Sequence, residues 1–433
     1  MKVLVISQMQ VEERMRGVAI RSYEVARVLT GLGEVVLAAP TGGMPPPMPE
    51  GVTLVTYERE RPGALRDCID AADVVFAQPQ PAVVMRWLSR SRARLIFDLY
   101  DPEVLENLAV FAGRRSRLDA VWLALTLDRL ASALHIGHHF VCASNSQRDL
   151  WLGAMLAERV VSLERYQADP SFRSVLAVVP FGLDRNPPSW REGEGIRARF
   201  PTIDRDAEIV LWNGGIWKWL DPILPIVAID ELRARRERVQ LVFMGGGSRD
   251  STESAARAEA SSRGMLGACV HFNDDWVPYD ERASWLLEAD CAVAAQDELL
   301  EARFAFRTRL LDCFWSGLPV VTTRGDDLAR RVEDEDLGAV CDPGDAAGLA
   351  RSIESVLTRG KDAFAPQLAR VAREFEWESV CAPLLALVGE PCPPRLRSIR
   401  RALAPGPSQR ARATVHQALR GAVSLARSRP RRL

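Results

Sequence analysis

Residues Asp297 to Thr323 read DELLEARFAFRTRLLDCFWSGLPVVTT, and this stretch decides the fold. It contains a short amphipathic helix that ends at Gly317 and runs straight into a buried strand, Pro319 to Thr322. Thr308 is placed to cap the helix start, which leaves free N–H groups facing outward beside Arg307 and Arg309. There the helix dipole and guanidinium charge together would hold a phosphate. Asp312, about a turn further in, would take sugar hydroxyls. A nucleotide-sugar carries both kinds of group.

Working outward, strands and helices alternate twice along the chain. In the first half apolar runs at 3–7, 35–39, 74–77, 95–97, 140–142 and 175–179 are separated by helical patterns, the rhythm of a parallel sheet. In the second half the runs fall at 209–212, 241–244, 269–272, 291–294, 320–322 and 339–341. This gives an α/β chain of two Rossmann-like domains, 1–185 and 186–375, with the boundary in the Pro-rich loop PFGLDRNPP at 180–188. A further helix is expected over about 377–387, within a segment 376–390.

A chain of 433 residues, 47% apolar and 26% charged, has the length for two cores and the composition of a soluble globular enzyme. The run from Val3 to Ile6 is too short for a secretory signal, and the longer apolar runs are broken by charges such as Asp128 and Arg129. A cytoplasmic protein is expected. The eight cysteines stand singly with no Cys-x2-Cys spacing, which fits small core residues in a reducing compartment. His135, His138 and His139 form the one histidine cluster, and no cysteine or acid adjoins it to complete a metal site.

The net charge of −1 hides an asymmetry. After Glu390 come eleven arginines and no acid, leaving 45 basic against 57 acidic side chains in the rest. Residues 391–433 are therefore an Arg-rich tail behind a linker at Pro391, Pro393 and Pro394. Within it Ala411, Val415, Leu419 and Val423 give a weak apolar stripe on a basic helix. Such a segment over 395–432 suits an anionic membrane surface, or else is solvated and disordered. Nucleic acid is not the expected partner, because no aromatic residue interleaves the arginines.

Asp312, Gly317, Pro319, Val320 and Val321 resemble the second half of the donor-site signature of the retaining group 1 (family four) glycosyltransferases, which have the GT-B fold. At the first acidic position of that signature stands Phe304, and the nearest upstream acid is Glu301. The resemblance extends over roughly residues 1 to 390. Met15-Arg16-Gly17 with the helix Ile20 to Ala26 is similar to the family's first loop, which closes on the donor phosphates, and Gly17 would allow close backbone approach. The segments 142–153 and 179–182 also look like landmarks of the family. The loop Asn213-Gly214-Gly215-Ile216-Trp217-Lys218-Trp219 is similar to a bacterial subgroup with a Trp-rich Gly-Gly loop. It implies phosphate contacts from Gly214, Gly215 and Lys218, and Gly245, after the next strand, would pass beside the nucleotide. A terminal helix crossing back to the first domain is also implied.

Asp98 and Asp101 lie in FDLYDP, where a parallel strand ends and ligands of open α/β sheets collect. They are expected on the acceptor side as catalytic candidates with Glu301, although Asp101 before Pro102 also suits a helix cap. The pairs Asp204/Asp206 and Asp334/Asp336 lie in hydrophilic turns, so no metal and no cofactor is expected beyond the nucleotide-sugar substrate. Arginines and helix amides would then neutralise the leaving diphosphate. The resemblance implies a retaining, metal-independent transfer from a nucleotide-diphosphate sugar to a saccharide or lipid-linked acceptor, in cell-surface polysaccharide or glycolipid synthesis. A sugar-nucleotide epimerase and a non-catalytic or partner-dependent module of the same fold stay open.

Overall fold

The computed structural model describes residues 1–112, 116–245, 251–275 and 277–389. The basic tail, with its proposed membrane contact at 395–432, lies outside the described residues, as do Gly246 and Gly247.

Two all-parallel sheets form, each covered by helices. The first holds β1 (Lys2–Ile6), β2 (Glu34–Pro40), β3 (Val52–Tyr57), β4 (Val74–Ala77), β5 (Arg94–Asp98), β6 (His139–Cys142) and β7 (Leu176–Val178), in the order β3-β2-β1-β4-β5-β6-β7. The second holds β8 (Glu208–Trp212), β9 (Val239–Phe243), β10 (Val270–Phe272), β11 (Cys291–Ala294), β12 (Val320–Thr323) and β13 (Gly338–Cys341), in the order β10-β9-β8-β11-β12-β13. The central strands are continuous apolar runs because helices cover both their faces. β3 escaped the reading by apolar runs. As an edge strand, VTLVTY keeps exposed threonines among its apolar residues.

Each sheet reverses its strand order once, between β1 and β4 and between β8 and β11. Crevices for ligands open at such points, beyond the carboxyl ends of the strands. The chain passes from one sheet to the other between Val178 and Glu208. After the second sheet it returns through helices Trp377–Val380 and Ala382–Gly389, two short helices where one was expected. The return is firmly packed. Trp377 is 2% exposed, lies 4.9 Å from the Phe181 ring, and sits so close to Gly182 that a Cβ there would stand 2.3 Å from the indole. The Leu183 amide donates to Phe375 O, the Trp377 amide donates to Leu183 O, and Arg94 Nη1 donates to the carbonyls of Leu387 and Val388.

Candidate active site between the domains

A cavity of about 170 Å³ opens between the two sheets, with Tyr100, Asp101 and Glu106 on one wall and Trp217, Trp219, Glu301 and Arg307 to Arg309 on the other. Its floor is set by the loops leaving β5, β8 and β11. Several polar links hold the walls together. Gln147, fully buried, donates to Tyr100 O on its own side and to Phe304 O across the cleft, both at 2.9 Å. The Ser146 amide and hydroxyl donate to the two Asp327 oxygens at 3.0 and 2.8 Å. Lys218 Nζ donates to Val110 O at 2.8 Å and Ala112 O at 3.4 Å, where helix Glu103–Phe111 ends and its carbonyls attract a cation.

Helix Thr308–Ser316 buries Leu310, Leu311, Cys313 and Phe314 and aims its N-terminus at the cavity. It ends as expected at Gly317, whose φ of 69° is left-handed, and Leu318 N closes the last turn on Cys313 O at 2.9 Å. Its start differs from the expectation. Arg307, not Thr308, holds the N-cap position, with no side-chain cap, and the Thr308 amide donates to Phe306 O at 2.8 Å.

The two arginines beside it have separate environments. Arg307 is turned inward: it pairs with the buried Asp326 and donates to Thr322 Oγ1 at 2.7 Å and Thr323 O at 2.8 Å. These partners use its charge to tie the helix start to the end of β12, which corrects its assignment to the diphosphate. Among the described residues Arg309 has no such carboxylate. Its Nη2 donates to Gly215 O at 2.8 Å, its guanidinium carbon lies 5.3 Å from the Trp212 ring centre, and its buried Nη1 has no hydrogen-bond partner. Burial, with the nearby Arg307 charge, pulls its pKa down to about 10, so it remains a cation at neutral pH.

The Gly214-Gly215 loop is pinned beside Arg309. Asn213 Nδ2 donates to Arg309 O at 2.7 Å, and a Cβ on Gly245 would stand 2.6 Å from the Gly214 carbonyl. Gly245 thus lets the loop after β9 lie against the loop after β8. Lys218 is occupied elsewhere, by the helix end across the cleft, which corrects its assignment to phosphate. Trp217 and Trp219, stacked at 6.0 Å, line the cavity instead.

Asp312 lies off the cavity wall and pairs with Arg282, whose Nε donates to Oδ1 at 3.1 Å. Arg282 in turn lies 3.4 Å over the Tyr279 ring and 4.6 Å from that of Trp315. A third correction concerns Asp98. It is 3% exposed and clamped by Arg21, with Nε at 2.7 Å and Nη2 at 3.0 Å, while Arg21 also donates to the carbonyls of Val179 and Pro180. Burial opposes the Arg21 charge, but Asp98 outweighs it and holds the pKa above its ordinary value. The pair fastens β5 to the end of β7, so Asp98 is a scaffold residue rather than an acceptor contact. Gly17 begins helix Gly17–Leu29, and a Cβ there would meet nothing within 4 Å.

Asp101 and Glu301 do come together, with a third acid that the sequence reading missed. Glu106 hydrogen-bonds to Asp101 side chain to side chain, and its place one turn after Pro102 was the available signal. Burial and mutual repulsion raise all three. Glu301 is pushed up to about 7 by burial and Asp101, Glu106 to about 7 by burial and Glu301, and Asp101 well above the carboxylate range by burial and Glu106. The histidines are engaged away from the cavity: His135 with Glu158, His138 with the Leu95 amide and His139 with Ser174 O.

Residues 208–359, from the first residue of β8 to the end of helix Ala346–Arg359, match the family model for group 1 glycosyl transferases. The fold is GT-B. The structure of the Anabaena protein HepE in complex with UDP and glucose aligns with a TM-score of 0.66 at 13% identity, covering 90% of this chain and 100% of that one. Sucrose-phosphate synthase from Thermosynechococcus elongatus aligns at 0.60 and 14% identity, over 89% and 98%. WaaG, a glycosyltransferase involved in lipopolysaccharide biosynthesis, aligns at 0.55 and 14% identity, also over 89% and 98%. Among curated proteins no sequence match was found. In GT-B terms the cavity is the cleft between the two Rossmann-like domains. No described helix is long and apolar enough to cross a membrane.

Proposed function

We propose that this protein is a retaining glycosyltransferase that moves a sugar from a nucleotide-diphosphate sugar to an acceptor hydroxyl without a metal ion. The observation that carries the reading is Arg309: a cation with a buried, unpartnered Nη1 at a helix N-terminus, facing a cavity between two GT-B domains. An unpaired buried donor of this kind is costly unless an anion completes it. A diphosphate bound there would accept from Arg309 and from the first-turn amides of helix Thr308–Ser316, with the Gly214-Gly215 loop alongside.

The remaining roles belong to the same proposal. Glu301, on the cavity wall, faces the transferred sugar; Asp101, across the cleft, faces the incoming acceptor. Asp312, paired with Arg282 off the cavity wall, would take the ribose hydroxyls of a nucleotide reaching past that wall. In a front-face transfer the diphosphate leaves as the acceptor hydroxyl arrives on the same side, and a phosphate oxygen takes its proton. Gly17, at the open start of its helix, would let the first loop approach the phosphates. The membership in family four, the Trp-rich subgroup, the cytoplasmic setting, and a place in cell-surface polysaccharide or glycolipid synthesis belong to the same proposal. So does contact of the Arg-rich tail with a membrane surface.

Because HepE was solved with UDP and glucose, UDP-glucose is the first donor to try. A true donor at 100 times its dissociation constant should stabilise the fold by about 2.7 kcal/mol in a thermal-shift assay. Transfer should continue in EDTA, and the product should keep the donor's anomeric configuration. Activity lost in EDTA and restored by magnesium or manganese, or an inverted linkage, would overturn the mechanism. Conversion of the donor with no acceptor consumed would identify an epimerase.

A further inference from the structure

Glu301 is 4% exposed, and its Oε2 is buried with no hydrogen-bond partner among the described residues, on the wall of the interdomain cavity. Facing it are the hydrogen-bonded carboxyls of Asp101 and Glu106. The neighbouring cations offset this group only in part, since Arg307 draws Glu301 down by less than burial and Asp101 push it up. Arg307 is paired with Asp326, Arg21 with Asp98, and Arg129 with Glu103. Arg309 is bound to Gly215 O in the phosphate half of the site. The cavity is therefore polarised, cationic where the helix begins and acidic where the sugar would lie.

We propose that Asp101, Glu106 and Glu301 form a charge filter that admits neutral or amino sugars as donors and rejects sugars bearing a carboxylate. The inference rests on the donor-site reading above and adds the substrate class. A hydroxyl or ammonium would donate to the open Oε2 of Glu301, whereas a uronate carboxylate brings only acceptors to acceptors. Like charges a few ångströms apart in a half-buried site repel strongly, and part of that cost falls on the approaching ligand. Asp101 and Glu106 act here as one unit: the pair shares a proton and stays negative overall, with no reach to the diphosphate required.

The test uses the full chain in two steps. Titration with UDP, GDP and ADP first establishes which nucleotide binds; if none binds, the donor-site reading falls, whatever the sugar preference. With the nucleotide known, its glucose, glucosamine and glucuronate conjugates are compared by calorimetry. The expected order has the glucuronate conjugate at least tenfold weaker than the glucose conjugate, and the glucosamine conjugate at least as tight as glucose. Because Glu106→Gln alone would let Asp101 ionise and keep the charge, the double variant Asp101→Asn, Glu106→Gln is used, and it should narrow the glucose-to-glucuronate ratio to under threefold. A glucuronate conjugate that binds within twofold of glucose to the unaltered protein overturns the filter, even if the variant fails to fold. An unchanged ratio in a folded Asp101→Asn, Glu106→Gln protein overturns it too.

Discussion

Replacing Arg309 with methionine separates function from stability in one experiment. Methionine keeps an unbranched apolar stem, so packing near Trp212 is largely retained. What disappears is the cation, its Nη2 bond to Gly215 O at 2.8 Å and the buried unpartnered Nη1. A charge-assisted bond from the open Nη1 to a diphosphate, at about 1.5–3 kcal/mol, sets a loss of about tenfold to hundredfold in nucleotide affinity. The effect on the empty protein has the opposite sign. Burial and Arg307 already penalise the Arg309 charge, as its lowered pKa of about 10 shows, and removing it relieves that penalty while sacrificing one bond to Gly215. The melting temperature without ligand should therefore hold or rise by a few degrees. Calorimetric titration with UDP, beside a melting curve of each protein, reads both quantities. A variant that binds nucleotide within twofold of the original, or that loses affinity only because it has lost its fold, would refute the assignment.

Other expectations concern the acids, the interdomain links and the tail. Glu301 has its folded pKa raised to about 7 from the ordinary 4.5, so the native state binds more protons than the unfolded chain between those values, and stability must fall as pH rises through that window. Glu301→Gln should flatten this fall in denaturant titrations at pH 5, 6 and 8; an unchanged slope would show that Glu301 is not the titrating group. Gln147→Ala deprives the Tyr100 and Phe304 carbonyls and the Ala143 amide of a buried partner, and should cost about 1–3 kcal/mol by urea unfolding. A loss below 0.5 kcal/mol, on the order of a surface change, would mean that water replaces it readily. Truncation after residue 390 should release the protein from anionic vesicles and spare hydrolysis of a soluble donor, since each tail arginine near such a surface contributes about 1 kcal/mol. Equal vesicle binding by both lengths would end that idea.

The α/β class, the two Rossmann-like units and twelve of the thirteen strands among the described residues are legible in the sequence. Buried parallel strands are local apolar runs, and β12 with the preceding helix and Gly317 can be read from one short segment. β3 was lost for the same reason, since an edge strand carries exposed threonines. Charge partners are a different matter, because they join residues far apart in the chain. Arg307 and Arg309 stand two apart on paper, but only the fold gives one Asp326 and leaves the other a buried unpaired donor. Asp98 and Asp101 look equivalent in FDLYDP; Arg21, 77 residues away in sequence, takes the first, while Glu106 and Glu301 surround the second. Lys218 finds a helix end across the cleft. Secondary structure follows from side chains read along a few turns, whereas the electrostatic role of each charge depends on which distant groups packing brings within a few ångströms of it.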